Sequence, residues 1–138
     1  MTTRSSGFSL IELLVVVAIL GVLSAIGISS YSGYIKSSEK KAAENIMQQV
    51  SLGQTEYYSA NGSYYSATGS SCSASSTTST AIETNLLGGA DVVNSDLAYE
   101  LCIYSHSSNY MVKAKSKTGT CEITMTAHGT FTRTNCWI

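Results

Sequence analysis

Residues 7–12 read Gly7-Phe8-Ser9-Leu10-Ile11-Glu12, and they set one carboxylate inside an apolar run that continues to Ile28. Glu12 is the only charged residue between Phe8 and Ile28. A carboxylate in a membrane-length helix is costly, less so near an end, where Glu12 lies, and it needs a partner there. The chemistry on offer is charge pairing: an acid held in an oily segment until an ammonium group meets it. Glu12 follows Phe8 by four residues, which predicts that the two share a helix face. The same position near a helix N-terminus favours an anion through the macrodipole.

Other reactive side chains form no enzymatic constellation. His106 and His128 fall in predicted turns with no carboxylate or cysteine at motif spacing. No phosphate loop, metal-ligand spacing or nucleophile elbow is present, so the chain is read as a non-enzyme with no cofactor and no metal. Lys113, Lys115 and Lys117 alternate along one predicted strand face, with Arg133 nearby in the following hairpin. Such a row holds nucleic-acid phosphates in some proteins. With Glu100 among them, the stronger reading is a solvated strand face.

The elements that position these groups begin with the apolar run. Phe8 to Ile28 is 21 residues, which as a helix covers roughly 30 Å, one hydrocarbon thickness. A removed secretory signal is the alternative, but Ala18 and Ala25 form no A-x-A cleavage pattern, and Glu12 interrupts the apolar core. Gly21, Ala25, Ser29 and Gly33 recur every fourth residue, a small-residue stripe of the kind that lets helix backbones approach closely.

Gly7-Phe8-Ser9-Leu10-Ile11-Glu12 resembles the prepilin processing site of type IV pilins and pseudopilins, and the resemblance is specific over residues 4–35. It implies cleavage between Gly7 and Phe8 by an inner-membrane prepilin peptidase, with loss of residues 1–7 and N-methylation of Phe8. It also implies a partner for Glu12: the amino-terminal charge of a neighbouring subunit. The chain departs from the family at one point. Many type IV pilins carry Ile-Pro-x-Tyr after the span, whereas this chain has Ile28-Ser29-Ser30-Tyr31 and contains no proline. A proline kink is therefore excluded.

Beyond the span, Ile35, Ala42, Ala43, Ile46, Met47, Val50 and Tyr57 recur at helical spacing. Lys36, Glu39, Lys40, Glu44 and Gln48 fill the other side, which predicts an amphipathic helix continuing to a stop at Asn61-Gly62. In residues 66–80, 11 of 15 are Ser or Thr, a composition read as a surface loop. Thr80-Ala81-Ile82-Glu83 fits a capping box for a short helix ending at Gly88-Gly89. Tyr57, Tyr58, Tyr64 and Tyr65 are expected to pack the helix-to-loop junction.

Period-two alternation predicts strands from Leu97 to Tyr104 and from Tyr110 to Lys115. A turn through His106-Ser107-Ser108-Asn109 sets Ile103 opposite Val112, Leu101 opposite Ala114 and Glu100 opposite Lys115. A final hairpin is expected from Cys121–Ala127 and Thr130–Trp137, with His128-Gly129 as a two-residue turn. The fold class is α+β: a long N-terminal helix packed on a small antiparallel sheet. The parts are a leader over 1–7, a span over 8–30, an amphipathic half over 31–60, a Ser/Thr-rich segment with a short helix over 61–96, and a sheet over 97–138.

Cys72, Cys102, Cys121 and Cys136 all follow the span and include no C-x-x-C pair. An even number in a small domain reads as two disulfides and an oxidising compartment. Four cysteines permit three pairings. The hairpin register sets Cys121 opposite Cys136, leaving Cys72 for Cys102, although that register makes 121/136 a hydrogen-bonded pair with side chains farther apart. Eight basic against nine acidic residues leave a net charge of −1, which gives no argument for nucleic acid.

The reading is a type IV pilus subunit that waits in the inner membrane with its domain in the periplasm and then enters an extracellular filament by helix packing. Its partners are other copies of itself or related pilins, the prepilin peptidase and an inner-membrane assembly platform. The task of such a filament is adhesion, twitching motility or DNA uptake. The alternatives are a type II secretion pseudopilin and a minor pilin that binds DNA through Lys113, Lys115, Lys117 and Arg133.

Overall fold

The computed structural model describes residues 7–66 and 69–136. Its elements are helices α1 (Leu10–Asn61) and α2 (Ser76–Leu86) and strands β1 (Tyr99–His106), β2 (Asn109–Ser116), β3 (Glu122–Thr126) and β4 (Phe131–Thr134). The strands form one antiparallel sheet in the order β1-β2-β3-β4. This is the α+β class expected of the sequence. The chain divides into two units, Met1–Lys36 and Ser37–Ile138.

Helix α1 runs 52 residues without a break. It stops at Gly62, whose left-handed φ of 73° a Cβ would disfavour and whose N–H caps the Tyr58 carbonyl at 2.8 Å. Within the second unit, α1 buries Lys40, Ala43, Glu44, Met47, Val50 and Gln54. This face is rotated from the one read in the sequence. Ala42 is exposed, while Lys40 and Glu44, assigned there to the solvent side, are buried. The rotation is possible because Glu44 and Gln54 find partners. Arg133 Nε donates to Glu44 Oε1 at 2.6 Å and Lys41 Nζ lies 3.3 Å from Oε2. Gln54 Nε2 donates to the Tyr65 carbonyl at 2.7 Å, and Gln54 Oε1 accepts from the Tyr65 N–H at 2.8 Å. The loop after α1 is thereby clamped to the helix, and the tyrosines pack around the clamp. Ring centroids are 5.6 Å apart for Tyr57–Tyr65, 4.6 Å for Tyr58–Tyr64 and 5.0 Å for Tyr64–Tyr110.

The start of α2 corrects the sequence reading. The cap is Ser75, boxed with Thr78, and residues 76–80 are helical rather than loop. Ser and Thr, poor helix formers, are retained because their hydroxyls bond to carbonyls within or against the helix. Ser79 Oγ donates to the Ser75 carbonyl at 2.8 Å and accepts from the Leu101 N–H at 3.0 Å, while Thr78 Oγ1 donates to the Leu101 carbonyl at 2.7 Å. These hydroxyls occupy the outer edge of β1, an edge that would otherwise invite pairing with another chain. Glu83 is not a cap; its Oε1 accepts from the N–H groups of Val93 at 2.6 Å and Asn94 at 3.0 Å.

Strands β1 and β2 pair in the expected register, with Glu100 opposite Lys115, Leu101 opposite Ala114 and Ile103 opposite Val112. Leu101, Ile103, Val112, Ala114, Ile123 and Met125 all fall on the core face and are fully buried with Met47, Val50 and Ile82. The β3–β4 hairpin is shifted by one residue from the expected pairing: Met125 faces Phe131 and Ile123 faces Arg133. The turn is a three-residue loop, Ala127-His128-Gly129, closed by the Thr126 N–H on the Thr130 carbonyl at 3.0 Å. Gly129 takes the left-handed position (φ 81°) that such a loop requires. Because side chains alternate along a strand, the one-residue shift moves Phe131 and Arg133 to the core face. Trp137, expected to end this hairpin, lies outside the described residues.

Candidate assembly site at the amino terminus

In the first unit, α1 begins at Leu10 and Ser9 precedes it. Glu12 Oε2 accepts from the Ser9 N–H at 2.8 Å and from Ser9 Oγ at 2.7 Å, and the Glu12 N–H reaches back to Ser9 Oγ at 3.3 Å. Ser9-Leu10-Ile11-Glu12 is therefore a capping box, with the carboxylate one turn into an apolar helix. This arrangement corrects the expectation that Phe8 and Glu12 share a helix face. Phe8 precedes the helix and is 89% exposed, and Glu12 turns to Ser9 instead. The S-x-x-E spacing of Ser9 and Glu12 is itself the sequence signal of such a box.

The carboxylate has two roles open to it. It closes the first turn of its own helix, and, being exposed, it can also accept from a cation. Gly7 and Phe8 are both exposed ahead of the helix, so the peptide bond between them is accessible. The rest of the leader, residues 1–6, lies outside the described residues.

From Leu10 to Ile28 every large apolar side chain is at least 49% exposed on the single chain. The segment passes as a membrane span by length and composition. Its polar groups are satisfied within the helix: Ser24 Oγ donates to the Leu20 carbonyl at 2.7 Å and Ser29 Oγ to that of Ile26 at 3.1 Å. A Cβ built at Gly21, Gly27 or Gly33 meets nothing within 4 Å. Hydroxyls turned inward and glycines turned outward suit a surface that meets apolar neighbours.

The cysteines paired in the sequence reading are joined in the structure, Cys72 to Cys102 and Cys121 to Cys136. The route to the second bridge differs from the expected one. Extending the observed β3–β4 register would set Cys121 opposite Asn135. Asn135 instead takes a left-handed φ of 54°, and Cys136 closes on Cys121 with Cα atoms 4.3 Å apart.

The four basic residues considered for nucleic acid are not brought into one strip. Lys113 lies 3.5 Å from Glu122, and Lys115 sits between Glu100 and Glu122 in the ladder. Lys117 lies past the end of β2 and donates to the carbonyls of Val93 at 3.4 Å and Asn94 at 2.9 Å. Arg133 is on the opposite sheet face, bound to Glu44. Burial pushes the Glu44 carboxyl up, but hydrogen bonds from Arg133 and Lys41 outweigh it and hold the group below the usual carboxylate range.

An exposed apolar helix with a capped acid at its start thus precedes a disulfide-tied α+β domain. In comparison with known proteins, residues 2–28 match the family described as a prokaryotic N-terminal methylation motif. The chain is similar to the fimbrial protein EcpC of Eikenella corrodens, 41% identical over 56 residues, covering 41% of this chain and 37% of that protein. It is 36% identical over 62 residues to the type IV major pilin protein PilE1 of Neisseria gonorrhoeae, covering 45% of this chain and 38% of the relative. Type IV major pilin protein PilA of Myxococcus xanthus matches at 36% over 56 residues, 26% of its length. The matched stretches thus span little more than a third of these relatives at most. No solved structure matches the chain. The methylation motif and these partial similarities are what the chain shares with type IV pilins.

Proposed function

We propose that this chain is a structural, non-catalytic subunit of a type IV pilus. A prepilin peptidase cuts after Gly7, and Phe8 becomes the methylated amino terminus. The subunit waits in the inner membrane with its disulfide-bonded domain in the periplasm. An assembly platform then lifts it into a filament, where its apolar helix packs among those of neighbouring subunits. The Phe8 ammonium of one subunit meets the Glu12 carboxylate of another. The filament serves adhesion, twitching motility or DNA uptake.

The observation that carries this reading is the exposed apolar helix bearing a lone carboxylate in its first turn, directly after an accessible Gly7-Phe8 bond. Removing so much apolar surface from water drives association, and only burial in a membrane or among like helices achieves it. Fimbrial and major-pilin names among the relatives support the same reading. Intact-mass measurement of the chain from its native cell tests it. The expected product starts at Phe8 and carries one added methyl group, and Gly7→Val abolishes the cut. A mature chain that still begins at Met1 overturns the reading.

A further inference from the structure

The nine tyrosines of the chain divide by environment. Tyr57, Tyr58, Tyr64, Tyr65 and Tyr110 pack against other rings in the domain, Tyr99 is buried in its core, and the Tyr104 hydroxyl donates to Met111 Sδ at 3.3 Å. Tyr31 and Tyr34 do none of these: they are 65% and 72% exposed, and no ring contact among the described residues involves them. They stand three residues apart on α1, hence on neighbouring positions of one helix surface. Exposed Lys36 follows them, at the last position of the first unit.

Their place along the helix accounts for them. Leu10 to Ile28 is apolar apart from small residues and Glu12, and covers roughly 30 Å, one hydrocarbon thickness. Tyr31 begins the next turn, inside a stretch of small and polar residues, Ser29-Ser30-Tyr31-Ser32-Gly33-Tyr34. Tyrosine is enriched where hydrocarbon gives way to headgroups, because its ring is apolar and its hydroxyl needs water. A lysine just beyond lays its stem along the apolar layer and its ammonium among phosphates. A helix longer than the bilayer takes its depth from such anchors.

We propose that Tyr31, Tyr34 and Lys36 form a lipid-headgroup anchor that fixes the depth of the unassembled subunit in its membrane. The inference rests on the membrane stage of the function proposed above. The occupant of this face is the headgroup layer of a bilayer containing anionic phospholipid, which the ammonium of Lys36 complements. Depth set at this end holds the capping box of Ser9 and Glu12 at the opposite surface, since the apolar segment between them matches the membrane thickness.

Fluorescence depth measurement on the full chain tests it, in vesicles of phosphatidylethanolamine and phosphatidylglycerol. The only tryptophan is Trp137, so Trp137→Phe gives a silent background for single reporters. Tyr31→Trp and Tyr34→Trp are expected to emit at shorter wavelength than in water. They should lose more intensity to lipids brominated near the headgroup than to lipids brominated near the chain ends. Ile19→Trp, at mid-span, should show the reverse preference. In Tyr31→Ala/Tyr34→Ala that mid-span preference should narrow as the helix loses its fixed depth, and Tyr31→Trp/Tyr34→Trp should retain it. Water-like, unquenched emission at 31 and 34 beside a quenched reporter at 19 overturns the anchor and leaves the pilus reading standing. An unquenched reporter at 19 overturns the membrane stage itself.

Discussion

Arg133 on the edge strand β4 donates to Glu44 on helix α1 at 2.6 Å across 89 residues of sequence. The pair fastens the last strand of the sheet to the helix that the sheet packs on. Cys121–Cys136 fastens the same segment to the start of β3. One contact closes the core and the other closes the chain end.

Removing Arg133 should leave Glu44, whose side chain is 8% exposed, short of one partner. An unsatisfied buried acceptor costs about 1–3 kcal/mol. The lower part of that range is expected, because Arg133 is itself 40% exposed and solvent screens such a pair. Thermal unfolding of Arg133→Ala, Glu44→Ala and the double variant, followed by near-UV circular dichroism, measures the coupling. Additive losses would show that the pair contributes nothing.

The same carboxylate gives a pH dependence with a definite sign. Its folded-state pKa is lowered, so its contribution is present above the unfolded value of about 4.3 and is lost as pH falls through the folded value. Stability should therefore decline on acidification below about pH 4, more steeply in the wild type than in Arg133→Ala. Denaturant titrations across that range check it, and equal slopes would contradict it.

Gly53 lies where α1 meets the end of α2. A Cβ added there falls 3.1 Å from the backbone carbon of Leu86 and closer still to its oxygen. Gly53→Ala must push α2 aside, and overpacking of this kind costs about 1–3 kcal/mol. Gly33→Ala is the contrast, since its Cβ meets nothing within 4 Å. It should raise helix stability by roughly 0.5–1 kcal/mol. Unfolding temperatures of the two variants should move in opposite directions.

Ser79 is fully buried and supplies the acceptor for the Leu101 N–H at the edge of β1. Ser79→Ala orphans that donor, at a cost of about 1–3 kcal/mol. Amide hydrogen exchange should show Leu101 losing protection first. Unchanged exchange there would mean that the edge is held by Thr78 and the Cys72–Cys102 bridge alone.

Much of this architecture was legible in residue spacing. The alternation of Leu101 and Ile103 against Val112 and Ala114 gave the register of β1 and β2, because a slip would expose every one of them. Gly62 marked the end of α1. Two differences share a physical cause: polar residues whose partners lie far along the chain. Glu44 looked solvent-facing because nothing nearby in sequence announces Arg133. Ser79 looked like loop because composition does not reveal that a hydroxyl can serve a strand edge. The hairpin shift came from taking His128-Gly129 as the whole turn, when a left-handed Gly129 suits a three-residue loop equally well. At the amino terminus, Glu12 has a partner nearer than Phe8, Ser9, at the S-x-x-E spacing of a capping box.

Filament yield from Glu12→Ala, measured beside Ser9→Ala and with cleavage monitored in both, separates the carboxylate's role in assembly from its role in the cap. Both variants lose the capping box, but only Glu12→Ala loses the carboxylate. Normal cleavage is expected in each, with filaments from Ser9→Ala and few or none from Glu12→Ala. Wild-type filament yield from Glu12→Ala would contradict the role in assembly.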